Sequence, residues 1–158
     1  MNLYRTLFAA VAVALLASGC ATEEPGTEAD SVTVREAWIK AADSGMTSAF
    51  AEIQNTGDDQ VRVVAASTDS SSMMELHEVV SSADGSMVMK PKEGGFAVAG
   101  SDTKVLQAGG DHLMLMDVTS PLTPGVDTDI TLTFEDGSTS TFTAQVRDFA
   151  GAQENYGG

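Results

Sequence analysis

In the stretch Gly109-Gly110-Asp111-His112-Leu113-Met114-Leu115-Met116, an imidazole and a thioether stand two positions apart. The glycine pair gives a turn. The residues after it alternate as an extended strand does, with His112, Met114 and Met116 on one face and Leu113 and Leu115 on the other. Two strand positions are roughly 6.6 to 7 Å apart, so His112 and Met114 can reach one small guest at the strand's end. A borderline and a soft donor together suit copper better than calcium or magnesium. The other histidine, His77, lies among Met73, Met74, Met87 and Met89. Six of the eight methionines thus sit near the two imidazoles, leaving out Met1 and Met46. A β core normally takes Val, Ile and Phe, so a methionine concentration of this kind points away from simple packing.

Two imidazoles and two thioethers make a neutral, soft, four-donor set that fits Cu(I), and thioethers form no disulfides in an oxidising compartment. A blue-copper electron carrier needs a cysteine thiolate, and the single cysteine, Cys20, stands at the end of the leader. There is no Gly-x-Ser-x-Gly elbow, and two histidines are too few for a copper-zinc dismutase-type site, so no enzyme is expected.

The elements that must position these donors are strands. The 158 residues suffice for one domain. Residues 1–20 read as an export signal: Arg5, an apolar run over 7–16, and Ala17-Ser18-Gly19-Cys20. The run is too short for a permanent membrane span. Its end resembles a lipobox with Leu16 one place early, which makes Cys20 the expected lipidation site. The alternative is an ordinary secretory signal cut near Ala21. Residues 21–30 read as a flexible acidic tether, 31–147 as the β domain, and 148–158 as a frayed tail. The net charge of −15 excludes nucleic acid as a partner, and losing Arg5 with the leader makes the remainder one unit more negative.

From Ser31 onward about nine or ten short strand patterns alternate with turn clusters, and no helical period persists for three turns. The expected class is all-β, an antiparallel Greek-key sandwich or barrel. Asp136-Gly137 is the clearest hairpin signal and favours a primed turn. Trp38 and Phe50 are expected in the core.

Glu75-Leu76-His77-Glu78, the Asp84-Gly85 turn followed by Met89, and the His112-x-Met114 stretch resemble the PCu(A)C copper chaperones, extracytoplasmic Cu(I) carriers of cupredoxin-like fold. The resemblance extends over 32–146 through Ala37-Trp38-Ile39-Lys40, Pro121-Leu122 with Gly125, and Leu132-Thr133-Phe134-Glu135. The family pattern is His, ten residues, Met, twenty-one residues, His-x-Met; here the gaps are eleven and twenty-two. By the resemblance the copper ligands are His77, Met89, His112 and Met114, one Cu(I) per chain. Counting from Gly85 favours Met89 over its same-face neighbour Met87. Met73, Met74, Met87 and Met116 would be supporting or core residues, and Glu78 and Asp111 would orient the imidazoles.

The resemblance also implies a lipid-anchored carrier on the outer side of the bacterial membrane, with copper held at an exposed end of the sandwich. The partners it implies are a copper-accepting membrane oxidase subunit, as in cytochrome c oxidase, and a Sco-type thiol protein as relay. Protons compete for imidazole, so Cu(I) affinity is expected to fall as pH drops through roughly 6.5; a flat affinity from pH 8 to 5 would contradict the histidine ligands. The rival from another class is a metal-free β-sandwich lipoprotein that binds protein or acts as an adhesin.

Overall fold

The computed structural model describes residues 26–149. The leader, Cys20, residues 21–25 of the tether and 150–158 of the tail lie outside the described residues. The described residues form ten strands: β1 (Val32–Lys40), β2 (Gly45–Asn55), β3 (Val61–Ser67), β4 (Met74–Ser81), β5 (Met87–Pro91), β6 (Phe96–Val98), β7 (Thr103–Leu106), β8 (His112–Val118), β9 (Asp127–Phe134) and β10 (Thr139–Arg147). Their order is β5-β4-β8-β2-β1-β10-β9-β3-β6, with β7 also paired to β2. All pairs are antiparallel except β1 with β10. The class is all-β, as expected.

The sheet curls over on itself. One buried cluster joins Leu76, Leu113 and Leu115 near one end of the strand order to Val61, Val63, Phe96 and Val98 at the other, with Ile39, Ile53, Ile130, Leu132 and Phe134 between. Burying an aliphatic or aromatic side chain of this size contributes about 1.5 to 3 kcal/mol, which is what draws the two ends together. Strand β2 links the layers, since Gly45, Thr47, Ser48 and Ala49 pair with β8 and residues 51–54 with β7.

A bulge in β1 decides what faces outward. Arg35 pairs with Glu52 and Trp38 with Phe50, so two residues of β1 oppose one of β2. Glu36 takes a left-handed φ of 49° there. The extra residue reverses the alternation, so Val34 and Ile39 both meet the core while Trp38 turns to the other face. Phe50 is buried, as expected, whereas Trp38 is only partly buried; neither joins the inner cluster, and their rings meet on the outer face with centroids 4.5 Å apart.

Ordered structure begins before Ser31. Glu28–Ser31 forms a 3-10 turn with a capping box from Thr27 and Asp30, and the Glu28 carboxylate accepts from the Arg62 and Asp136 amides. The Asp136-Gly137 hairpin also departs from the two-residue primed turn. Phe134 donates to the Ser138 carbonyl at 2.9 Å and Gly137 to the Phe134 carbonyl at 3.0 Å, closing a three-residue loop. Gly137 at φ 83° supplies the left-handed residue that such loops require.

Candidate metal centre

Gly109, at φ 76°, carries the chain through the turn before β8. Gln107 accepts from Gly110 at 3.0 Å and donates to Asp111 at 2.8 Å. This aims the Gly110 carbonyl back at the first residue of β8, where it lies 2.9 Å from His112 Nδ1. A carbonyl only accepts, so Nδ1 carries the proton and Nε2 is the lone-pair nitrogen.

His112 and His77 are direct partners across β8 and β4. Their ring centroids are 5.6 Å apart and the planes are inclined at 64°. His77 Nε2 lies 2.7 Å from Glu75 Oε2, two residues earlier on the same face of β4. A carboxylate accepts, so Nε2–H donates to it and, when the ring is neutral, the lone pair is on Nδ1. That Nδ1 is buried and has no hydrogen-bond partner. A buried acceptor with no donor is costly, and a lone pair so placed is able to ligate a metal ion.

The remaining two donors follow from register. Met114 pairs with Glu75 on one side and Ser48 on the other, is buried, and receives the Ser48 hydroxyl on its sulfur at 3.6 Å. On the far side of β4, His77 pairs with Pro91 and Val79 with Met89. Met89 is thus on the face of His77 and diagonal to it, within reach of a long side chain. Met87 is two pairs further along, opposite Ser81, and stands 63% exposed on the edge strand.

The register therefore gathers His77, His112, Met114 and Met89 on the outer face of β4, β5 and β8, opposite to the leucine core. Among the described residues no three His, Cys, Asp or Glu side chains form a metal-binding group. Phe50 lies beside His112 at 6.3 Å between centroids, and Phe149 meets Trp38 edge-on at 5.1 Å. His77, His112 and Met114 are all under 8% exposed, which differs from the exposed site expected; Met89 alone is half-buried.

The expected orienting residues also differ. Glu78 follows His77 by one and so faces away from it. It takes Lys92 at 2.8 Å and Lys90 at 3.4 Å, and Asp111 takes Lys92 and Lys104. The Lys92 hydrogen bond holds the Glu78 carboxyl below its ordinary value, and Glu78 holds the Lys92 ammonium above its own. These ions tie β4 and the turn before β8 to β5, to Lys92 just after it and to β7, while Glu75 and the Gly110 carbonyl contact the imidazoles. An i, i+2 carboxylate on a strand was the available signal for Glu75. Met73 likewise is 51% exposed and outside the core, whereas Met74 packs against it.

Residues 32–146 match the family model described as "Putative lipoprotein LpqE-like". The protein named "Putative lipoprotein Lxx21020", of Leifsonia xyli subsp. xyli (strain CTCB07), is 42% identical over 153 residues, 93% of this chain and 92% of its own. The fold is similar to that of the copper-bound PCuAC domain from PmoF2, with a TM-score of 0.63 and 16% identity over 75% of this chain and 94% of that one. It is also similar to apo-DR1885 from Deinococcus radiodurans, with a TM-score of 0.56 and 26% identity over 94% of this chain and 98% of that one. With its cupredoxin-like fold shared with the PCuAC domains, the chain belongs to the LpqE-like family.

Proposed function

We propose that this protein carries Cu(I) outside the cytoplasm, held to the membrane by lipid on Cys20, with His77, Met89, His112 and Met114 as ligands. The observation that carries this reading is the facing pair of imidazoles, each with one nitrogen committed to a backbone or carboxylate acceptor, and His77 Nδ1 buried without a partner. The PCuAC domain from PmoF2, which shares the fold, is described as copper-bound. Four neutral donors leave the ion its single charge, and their softness selects Cu(I) over hard divalent ions.

Burial then gives the ligands different parts. His77, His112 and Met114 form the closed side of the site. Met89, on the edge strand, is the ligand a partner can reach, so copper enters and leaves past it by stepwise ligand exchange with no change of oxidation state. The recipient in this reading is a copper-accepting subunit of a membrane oxidase, as in cytochrome c oxidase, with a Sco-type thiol protein as relay. No turnover chemistry is involved.

The test is a Cu(I) titration of the chain from Ala21 onward against a colorimetric Cu(I) chelator, beside His112→Ala and Met114→Leu. The parent is expected to hold one equivalent that both variants lose. A parent that fails to compete removes the copper reading and favours the protein-binding sandwich.

A further inference from the structure

The outer face carries more thioethers than the proposed ligand set uses. One row beyond Met114 and Glu75, Met116 lies opposite Met73, because Met74 pairs with Leu115 and the Met73 carbonyl accepts the Met116 amide at 2.9 Å. On the other side of β8, the β2 register slips between Thr47↔Leu115 and Gly45↔Val118, which sets Met46 against Met116 and Asp117 together. Ser48 reaches Met114 on this face, and alternation brings Met46 to the same side. Three neighbouring strand segments thus present one methionine each to a single row.

None of the three belongs to the core cluster. Met73 and Met46 are 51% and 38% exposed, and Met116 is partly buried. The backbone beneath them is fixed nonetheless. The Ser71 hydroxyl donates to the Met73 carbonyl at 2.9 Å and receives the Asp117 amide at 3.3 Å. The Ser72 hydroxyl donates to the Asp117 carboxylate at 3.1 Å, so a negative charge stays beside the row.

We propose that Met46, Met73 and Met116 form a second site, for a soft monovalent cation such as Cu(I) or Ag(I). Directly opposed strand residues have Cβ atoms roughly 4.5 to 5.5 Å apart, and methionine's three flexible bonds let the sulfurs turn onto one ion. Neutral sulfur alone takes soft ions and leaves calcium and magnesium in water. Met116 and Met114 share a face of β8 two residues apart, so an ion on the trio lies next to the buried histidines. The trio is then a waypoint for copper reaching or leaving them; this last role rests on the function proposed above, whereas the site itself does not.

The experiment is a titration of the full chain, in mild detergent and labelled with methyl-13C methionine, with Ag(I), a redox-inert probe, followed by NMR. The Met46, Met73 and Met116 methyl signals are expected to move together, in a step separate from Met89 and Met114. In Met73→Leu the Met46 and Met116 shifts should be lost while the Met89 and Met114 step remains. In the double variant His77→Ala, His112→Ala the trio should still respond. A parent in which only the trio responds upholds this site and removes the histidine one. Trio signals unmoved by excess Ag(I), or a Met46 and Met116 response unaltered by Met73→Leu, overturns the proposal.

Discussion

Strand β8 shows two faces to two different surroundings. Leu113 and Leu115 enter the main core and meet apolar neighbours. His112 and Met114, between and beside them, are as deeply buried, but they meet an imidazole, a carboxylate and a hydroxyl. Equal burial thus serves two ends, cohesion on one face and an ordered set of lone pairs on the other. Stability should depend chiefly on the inner face and metal binding on the outer one.

The most damaging change to the inner face is Leu113→Ala, which opens a cavity in the core. It should cost about 2 to 5 kcal/mol in chemical denaturation. A loss below about 1 kcal/mol would show that the inner face is not the cohesive one. Met114→Leu is the matched change on the outer face. Volume is nearly kept, so the stability cost should stay under about 1.5 kcal/mol while Cu(I) binding fails. If the variant binds as the parent does, Met114 only packs.

Glu75→Gln sharpens the comparison by leaving all four proposed ligands in place. An amide can offer its own N–H to His77 Nε2, so the tautomer is no longer enforced, and Cu(I) affinity should fall by about 10- to 100-fold. The matching change at Glu78, Glu78→Gln, should leave Cu(I) affinity unaltered, since that carboxylate faces the lysines.

The smallest effect belongs to those ions. Glu78 is held below its ordinary value and Lys92 above its own, each by the other, so their pairing adds stability wherever both are charged. That contribution fades as pH falls through the lowered Glu78 value, and again as pH rises through the raised Lys92 value. The denaturation midpoint of Glu78→Gln should lie slightly below the parent's near neutrality and converge with it in acid, once pH has fallen below the lowered Glu78 value. A gap that persists in acid would mean that Glu78 acts through packing.

Strand positions and the all-β class were legible because alternation and turn residues are local signals. Spacing and resemblance singled out His77, His112, Met89 and Met114 as candidates, and the strand register sets them on one face. Which face was which was not, because β8 is buried on both sides and its alternation separates no inside from outside. Trp38 illustrates the same gap: one extra residue at Glu36 reversed its direction, and nothing in the local pattern marks a left-handed glutamate. Asp111 and Glu78 stood next to the histidines in sequence, yet only the topology brings Lys92 and Lys104 to them. Met89 and Met87 share a face, and it takes the β4–β5 register to set Met89 beside His77.

The central claim is that two imidazoles and two thioethers on the outer face hold one copper ion. Copper K-edge X-ray absorption of the chain loaded with one equivalent of Cu(I) tests it most directly. The account predicts imidazole scattering together with a sulfur shell, and loss of sulfur amplitude in Met89→Leu and in Met114→Leu. A first shell of nitrogen and oxygen alone, unchanged in both variants, would contradict it.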